Sequence, residues 1–221
     1  MTKQTVIAKR GPETVSSVDD DTAICDGLCN LLESVGLAAE HSSSAEEFLQ
    51  HWSREKAGCL VIDVRLPGMT GVEFQEKMQD RGIEIPLIFM TAHGDIPMVR
   101  KVMKAGAIEF LTKPFEIHEL LHAIEQALAR DRGRRMEETI LNSIQFCVDT
   151  LTPRELQVMA MVTSGLLNKQ IAAELNLSEI TVKLHRSHVL EKMHAGSLAE
   201  LVKLCERVKM SSQAKRNPLQ V

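Results

Sequence analysis

The sequence predicts an α/β domain with a five-stranded, doubly wound parallel sheet, followed by a smaller all-α domain of four helices. Apolar runs of strand length alternate five times with helix-like segments in residues 1–130. Four short helical patterns and no strand pattern follow in residues 150–221. The charge is divided in the same way, because residues 1–130 carry a net charge of −7 and residues 150–221 carry +4. We therefore predict two domains, with residues 131–149 forming a helical linker between them.

The five predicted strands are short and apolar, which is typical of parallel strands that helices cover on both faces. They are expected at Thr14–Val18, Ala38–Glu40, Cys59–Asp63, Pro86–Met90 and Ala107–Leu111. Apolar residues at helical spacing predict the alternating helices at Ala23–Val35, Ser44–Trp52, Thr70–Met78, Asp95–Gly106 and Glu116–Arg130. Ser16 and Ser17 interrupt the first strand, so their hydroxyl groups need backbone partners wherever they are buried.

Polar residues collect where the predicted strands end. The carboxyl ends of parallel strands meet at one edge of the sheet, and open α/β sheets bind ligands there. This edge receives three carboxylates, one hydroxyl and one ammonium group, namely Asp19, Asp20, Asp63, Thr91 and Lys113. As isolated features, each of these residues could equally be a helix cap or a salt-bridge partner. Separate helix caps and salt bridges do not explain well why all five residues occur at strand ends.

Converging carboxylates repel one another, so the predicted edge requires positive charge. Lys113 supplies one charge, and a Mg²⁺ ion, which prefers oxygen ligands, would supply two more. A cation and a lysine together can neutralise the oxygens of a transferring phosphoryl group. Asp63 would then be the nucleophile that forms an acyl phosphate.

The linker is predicted to contain a charged run, Arg130–Arg135, that faces solvent. A helix is expected to resume after Gly133 and to carry an apolar stripe of Met136, Ile140, Ile144 and Cys147 or Val148. Packing of this stripe against one of the two domains is the favoured interpretation. A coiled contact with a second chain is the alternative.

The C-terminal domain begins with a capping box at Thr152–Glu155 that has proline at the first helical position. Further helices are predicted at Asn168–Leu175, Glu179–Met193 and Ser197–Lys209. A short helix, a tight turn and a basic second helix form a helix-turn-helix. Its second helix is expected to turn its apolar residues inward, namely Ile180, Val182, Leu190 and Met193. The alternative is a helical bundle with a merely basic surface.

Residues 13–130 resemble the receiver domain of bacterial two-component response regulators. The resemblance rests on the acidic pair Asp19–Asp20, the apolar strand ending in Asp63, the pair Thr91–Ala92 and the run Lys113–Phe115. It implies a flavodoxin-like fold and phosphorylation at Asp63. It also implies Mg²⁺ held by Asp19, Asp20, Asp63 and the backbone carbonyl of Arg65. Thr91 and Lys113 would contact the phosphoryl group, Phe110 would turn inward on activation, and the Lys113–Pro114 bond would be cis.

Residues 150–208 resemble the LuxR-type DNA-binding domain, and the whole chain resembles a FixJ/NarL-type response regulator. The resemblance rests on the runs Asn168–Ala172 and Thr181–Arg186. It implies that Lys183 and Leu184 face the major groove, with Lys169, His185 and Arg186 near the DNA backbone. Thr181 and Ser187 complete the expected DNA-binding set. Relatives often have a long basic residue where this chain has Ser187.

We therefore expect a transcription regulator that a sensor histidine kinase switches by phosphorylating Asp63. The expected partners are promoter DNA, RNA polymerase and a second copy of the chain, with Mg²⁺ as cofactor. No apolar run is long enough to span a membrane, and the N-terminus lacks the apolar region of a secretion signal. We expect a cytoplasmic protein whose five cysteines stay reduced.

Two other functions remain open at this stage. An aspartyl-phosphate phosphohydrolase needs a second acid two residues after its nucleophile, and this chain has Arg65 there. A receiver that serves only as an interaction domain is suggested by Ser16 and Ser17, but the complete acidic set argues against it. The sequence therefore favours a regulator over an enzyme.

Overall fold

The computed structural model describes residues 13–92 and 96–216, with side chains described up to Met210. The predicted helix cap Asp95 lies outside these residues. The chain divides between Arg134 and Arg135 into two compact units. Each unit has its own apolar core, so each is described separately.

The first unit is built on a five-stranded sheet in which every neighbouring pair of strands is parallel. The strands are β1 (Thr14–Val18), β2 (Ala38–Ser42), β3 (Gly58–Asp63), β6 (Leu87–Thr91) and β7 (Glu109–Thr112), in the order β2-β1-β3-β6-β7. The order reverses at β1 and β3, which is where doubly wound sheets bind ligands. The predicted fold of this domain is confirmed.

Helices cover both faces of this sheet. They are α1 (Thr22–Ser34), α2 (Ala45–His51), α3 (Gly71–Asp80), α4 (Ile96–Lys104) and the first part of α5 (Ile117–Asp149). One face buries a cluster that includes Leu60, Ile62, Phe74 and Phe89. The opposite face buries a second cluster that includes Val61 and Ile88. Alternate residues of β3 thus enter opposite cores, as expected for a central parallel strand.

A two-stranded hairpin, β4 (Arg65–Leu66) and β5 (Met69–Thr70), follows the central strand and was not predicted. Arg65 pairs with Thr70 in antiparallel register. The turn at Pro67–Gly68 is visible in the sequence, and Gly68 adopts a φ of 80°. Strands of two residues are too short to give an alternating pattern, so the sequence indicates the turn and not the pairing.

The buried serines of β1 both find partners on β2. Ser16 Oγ donates to Glu40 Oε1 at 2.9 Å, and Ser17 Oγ donates to the Glu40 carbonyl oxygen at 3.4 Å. Glu40 also accepts a hydrogen bond from Lys56 Nζ. The expectation of backbone partners is therefore correct for Ser17, whereas Ser16 uses a carboxylate. This network replaces the apolar contacts that a fully apolar strand would make.

Helix α5 does not break at Gly133, so the prediction of a helix that resumes there is wrong. A helical glycine costs only about 1 kcal/mol relative to alanine, which neighbouring contacts can offset. Asp131 provides such contacts, because its Oδ2 accepts from the Gly58 N–H at 3.0 Å and its Oδ1 from Arg134 Nη2 at 2.7 Å. The charged run is therefore not entirely a solvent-exposed face, since Asp131 is only 2% exposed.

The second unit contains the end of α5 and four further helices, α6 (Pro153–Thr163), α7 (Asn168–Leu175), α8 (Glu179–Lys192) and α9 (Leu198–Arg216). The predicted four-helix C-terminal fold is confirmed. Ile144 of the linker stripe is buried with Leu151, Val189 and Leu201, and Ile140, Cys147 and Val148 pack against this cluster. The stripe thus packs against the C-terminal domain from Ile140 onward, as favoured from the sequence, whereas Met136 is 52% exposed.

The inward-facing set predicted for α8 is wrong at Ile180, which is 80% exposed. Val182, Val189 and Met193 are buried, and they recur at intervals of seven and four residues. Ile180 precedes Val182 by two positions, and two residues correspond to about 200° of rotation around a helix. Ile180 and Val182 therefore lie on opposite faces of α8.

Candidate phosphoacceptor site and DNA interface

Lys113 joins two acidic residues that are far apart in the sequence. Its Nζ donates hydrogen bonds to Asp19 Oδ2 at 2.7 Å and to Asp63 Oδ2 at 2.6 Å. Asp19 follows β1 directly, Asp63 ends β3, and Lys113 follows β7. The parallel topology therefore brings the three residues together at one edge of the sheet, where the sequence predicted them.

Backbone N–H groups hold both carboxylates and the start of the Lys113 segment at this edge. The Asp21 N–H donates to Asp19 Oδ1 at 3.0 Å, and the Arg65 N–H donates to Asp63 Oδ1 at 2.7 Å. The Lys113 N–H donates to the carbonyl oxygen of Thr91 at 2.7 Å. Each carboxylate thus has one oxygen fixed by the main chain and the other bonded to the lysine.

The pKa of Lys113 is raised above its usual range. Burial by itself favours the neutral amine, but the hydrogen bonds and charges of Asp19 and Asp63 act in the opposite direction and outweigh it. The ammonium form is therefore stable at neutral pH. It supplies part of the positive charge that the converging carboxylates require.

The acidic run at the end of β1 divides into three different roles. Asp19 is 3% exposed and bonds to Lys113, whereas Asp20 is exposed. Asp21 caps α1, because its Oδ1 accepts from the N–H groups of Ala23 and Ile24. The sequence analysis missed this cap, although an aspartate just before an apolar helical pattern is a known signal for one.

Thr91 is fully buried at the end of β6 and lies in register with Thr112 of β7. Phe110 is half-buried on β7, where it pairs with Phe89 and packs against the core on that face of the sheet. The Lys113–Pro114 peptide bond is cis, as the resemblance implied. The side chain of Arg65 is exposed. The resemblance assigns metal binding to the backbone carbonyl of this residue and not to its side chain.

Gly71 is a residue of this region that the sequence analysis did not identify. A Cβ atom at Gly71 would lie 2.9 Å from the Phe89 ring, 3.0 Å from Val64 Cα and 3.1 Å from the Asp63 carbonyl oxygen. The start of α3 therefore approaches the end of β3 closely enough to require glycine. No sequence pattern signals such a requirement, because it depends on the packing of a helix start against a strand.

A metal centre is not preformed by side chains alone. Across residues 13–92 and 96–216, no three histidine, cysteine, aspartate or glutamate side chains are grouped closely enough to hold a metal ion. Asp19 and Asp63 do each place an oxygen within 2.7 Å of one positively charged nitrogen. These two carboxylates share the ammonium group of Lys113, and their oxygens are hard ligands of the type that Mg²⁺ prefers.

The second unit contains the predicted helix-turn-helix. Helix α7 is followed by its C-cap Asn176, which adopts the left-handed conformation with a φ of 54°. Ser178 caps α8 by accepting from the Thr181 N–H at 3.1 Å. The buried side chains of Val158, Ile171 and Val182 hold α6, α7 and α8 together. Asparagine tolerates the left-handed region better than most residues, so the tight turn agrees with its sequence.

The predicted DNA-binding residues differ in exposure. Four are exposed, namely Lys169, Lys183, Leu184 and Ser187, and three are half-buried, namely Thr181, His185 and Arg186. Arg186 Nη1 donates to Asn168 Oδ1 at 3.2 Å, which ties α8 to the start of α7. Thr181 Oγ1 lies 2.8 Å from Ser178 Oγ and contributes to the cap. The four exposed residues are the most accessible of the set, and the three half-buried ones remain partly accessible.

An ion pair between half-buried Lys192 and buried Glu155 anchors the end of α8. Lys192 Nζ donates to Glu155 Oε2 at 2.7 Å and to the Thr150 carbonyl oxygen at 3.2 Å. Glu155 also completes the capping box of α6 by accepting from the Thr152 N–H at 2.9 Å. The hydrogen bond from Lys192, supported by that from Thr152, lowers the pKa of Glu155 to about 2. This pair was not predicted, because it joins residues 37 positions apart.

Two families match the chain in separate segments. Residues 15–125 match the response regulator receiver domain, and residues 149–205 match the luxR family of bacterial regulatory proteins. Each match covers one of the two folds described above. The chain therefore belongs to the class of two-domain response regulators.

Individual relatives match over nearly the whole chain. Nodulation protein W of Bradyrhizobium diazoefficiens is 47% identical over 88% of this chain and 86% of its own length. The transcriptional regulatory protein FixJ of the same organism is 40% identical over 87% of this chain and 94% of its own length. The structure of the response regulator StyR shares 48% identity and a TM-score of 0.81, covering 89% of this chain and all of that one.

The chain is thus a DNA-binding two-component response regulator of the FixJ/LuxR type. The prediction of a transcription regulator, rather than an enzyme, is confirmed by the similarity to the transcriptional regulatory protein FixJ and to the luxR family of bacterial regulatory proteins. None of the helices in the described residues has the length and apolarity to cross a membrane.

Proposed function

We propose that a sensor histidine kinase phosphorylates Asp63 and that this modification pairs two chains and strengthens their binding to promoter DNA. The observation that carries the proposal is the contact of Lys113 Nζ with both Asp19 Oδ2 and Asp63 Oδ2. A nucleophilic carboxylate needs nearby positive charge to receive an anionic phosphoryl group. Lys113 provides that charge at hydrogen-bond distance.

In the proposed reaction, an oxygen of the Asp63 carboxylate attacks the phosphorus atom of the kinase phosphohistidine. A phosphorus–oxygen bond forms, the phosphorus–nitrogen bond breaks, and the imidazole leaves with the electron pair of that bond. The Arg65 N–H holds Asp63 Oδ1 at 2.7 Å, so Oδ2 is the oxygen that exchanges its lysine contact for the new bond. Lys113 then donates to the phosphoryl oxygens.

The donors proposed for Mg²⁺ are Asp19, Asp20, Asp63 and the backbone carbonyl of Arg65. The bound ion would neutralise charge on the phosphoryl oxygens during transfer. Asp19 is oriented for this role by the Asp21 N–H, and Asp20 is exposed next to it. The chemistry of these ligands fits a hard cation that keeps some of its water.

The proposed output begins at two residues beside the site. The hydroxyl group of buried Thr91 and the ammonium group of Lys113 shift towards the new phosphoryl group, because both are hydrogen-bond donors. Phe110 lies three residues before Lys113 on β7 and is only half-buried, so it is free to turn inward as that strand end moves. Changes of this kind alter the surface through which two receivers can pair.

Pairing raises DNA affinity because each helix-turn-helix reads only a short half-site. Two joined modules bind with a high effective concentration for the second contact. We further propose that the protein acts in the cytoplasm, where kinase, DNA and RNA polymerase are accessible. Lys169, Thr181, Lys183, Leu184, His185, Arg186 and Ser187 remain the proposed DNA-binding residues.

The test is chemical mapping of the phosphorylated residue. The full chain is incubated with acetyl phosphate and Mg²⁺, then reduced with borohydride, which converts an acyl phosphate of aspartate to homoserine. Mass spectrometry should find homoserine at position 63 and nowhere in an Asp63→Asn variant. Asp26→Asn, an exposed aspartate on α1, is the matched control and should label normally. Reduction at another aspartate, or none in the wild type, would refute the proposed acceptor.

A further inference from the structure

The exposed face of α8 carries two large apolar side chains. Ile180 is 80% exposed and Leu184 is 55% exposed, whereas Val182 and Val189 on the same helix are buried. Ile180 lies in the first turn of α8, directly after the residues that form the turn of the helix-turn-helix. Exposed apolar groups that lie together generally mark a surface that binds something.

These two residues belong to a single stripe. Ile180 is followed by Lys183, Leu184 and Ser187 at intervals of three, four and seven positions. This spacing places the four residues on one face of the helix. All four are exposed. The stripe therefore has a cation between two apolar groups, followed by a hydroxyl group.

The charge of the domain indicates what covers this stripe. Residues 150–221 contain 10 lysine and arginine residues against 6 aspartate and glutamate residues, which gives a net charge of +4. The stripe lies on the second helix of a helix-turn-helix, the element that enters the major groove in such domains. A polyanionic duplex is thus the occupant that fits both the charge and the shape.

In the major groove, the apolar group that a side chain can recognise is the 5-methyl group of thymine. We propose that Ile180 and Leu184 read thymine methyl groups, while Lys183 donates to a guanine between or beside them. This proposal rests on the DNA-binding function and adds the base preference of the half-site. Ile180 and Leu184 are separated by about 6 Å along the helix axis, which corresponds to roughly two base steps.

The preference differs from that of a reading face made of basic residues. Arginine and lysine mainly select guanine through its N7 and O6 atoms. This chain has Ile180, Leu184 and Ser187 on the stripe, and only Lys183 is basic. Its half-site should therefore depend on thymine methyl groups more than on several guanines.

The experiment uses the full chain phosphorylated with acetyl phosphate and Mg²⁺. A duplex is first enriched from a randomised library by its binding to the wild-type protein. Its thymines are then replaced one at a time by uracil, which keeps the base pair and removes only the methyl group. At one or two positions in each half-site, uracil should weaken binding about three- to fivefold.

Variants assign these positions to side chains. Ile180→Ala should weaken binding to the thymine duplex and should no longer distinguish uracil from thymine at one position. Leu184→Ala should do the same at another position. Phe146→Ala is the matched control, because Phe146 is 72% exposed in the same unit and lies on α5, away from this stripe in the sequence. It should retain the full uracil effect.

Three results would overturn the proposal. Equal wild-type affinity for the thymine and uracil duplexes at every position, with sequence-selective binding intact, would exclude methyl reading but leave the DNA-binding function in place. Retention of every uracil effect by Ile180→Ala and Leu184→Ala would exclude these residues as readers. Failure of the phosphorylated wild type to enrich any sequence would instead refute the promoter-binding function, and this proposal with it.

Discussion

Lys113 Nζ lies 2.6 Å from Asp63 Oδ2, although the two residues are 50 positions apart. The same nitrogen contacts Asp19 Oδ2, so one ammonium group serves two carboxylates. The lysine is therefore both a structural partner in the resting state and the proposed phosphoryl contact in the modified state. The stability of the receiver and its phosphorylation should therefore both depend on Lys113, and each can be measured separately.

Replacing Lys113 with methionine should destabilise the receiver by about 1–3 kcal/mol. The reason is that two partly buried carboxylates lose their charged donor and repel each other. Urea denaturation of Lys113→Met measures the loss. The double variant Lys113→Met/Asp63→Asn should recover part of it, because one repelling charge is removed. A double variant that is less stable than Lys113→Met would contradict this account of the site.

Asp19 and Asp20 are adjacent but should respond differently to substitution. Asp19→Asn should lower the free energy of unfolding, since Asp19 is buried and bonds to Lys113. Asp20→Asn should leave stability within about 0.5 kcal/mol of wild type, because this side chain is exposed. Asp20→Asn should nevertheless weaken Mg²⁺ binding, which a titration by calorimetry would measure. Unchanged Mg²⁺ affinity would remove Asp20 from the proposed ligand set.

Gly71→Ala should destabilise the receiver by about 1–3 kcal/mol and slow labelling of Asp63. The new methyl group would press on Phe89 and on the backbone of Val64 and Asp63. Gly27→Ala is the control, because Gly27 lies in α1 with open space around its Cβ position. That change should stabilise by up to about 1 kcal/mol. Similar effects of the two substitutions would show that the close approach at Gly71 is unimportant.

The C-terminal unit should lose stability between about pH 4.3 and pH 2. The folded-state pKa of Glu155 is about 2, below the ordinary value of about 4.3 for an unfolded glutamate. A lowered pKa contributes stability that is complete above the unfolded value and is lost as the pH falls through the folded value. Thermal unfolding of wild type and Glu155→Gln across this range should show the variant with a shallower dependence on pH. Parallel curves would contradict the assignment.

The sequence was sufficient for the sheet and its acidic edge because these depend on local patterns. Apolar strands that end in Asp63 or directly before Lys113 reveal their own direction, and parallel pairing then brings their ends together. The contact between Asp131 and Gly58 could not be predicted, since it joins residues 73 positions apart through a backbone N–H group. Backbone donors carry no residue-specific signal in a sequence.

The burial of Ile180 was predicted wrongly for a different reason. Its apolar side chain favoured burial, but the face on which it lies is set by its angular distance from Val182 on the helix. In a helix, an error of two residues in register moves a side chain to the opposite face. An apolar residue that function requires at the surface is also the kind of residue that hydrophobic patterning misassigns.

The most direct test of the central claim is DNA binding by the full chain before and after phosphorylation. Fluorescence anisotropy with an enriched duplex should show much tighter binding by the wild type after treatment with acetyl phosphate and Mg²⁺. Asp63→Asn should bind weakly under both conditions, while Asp26→Asn should respond as the wild type does. Equal affinity of the wild type with and without phosphorylation, or a full response by Asp63→Asn, would contradict the proposal that Asp63 is the switch.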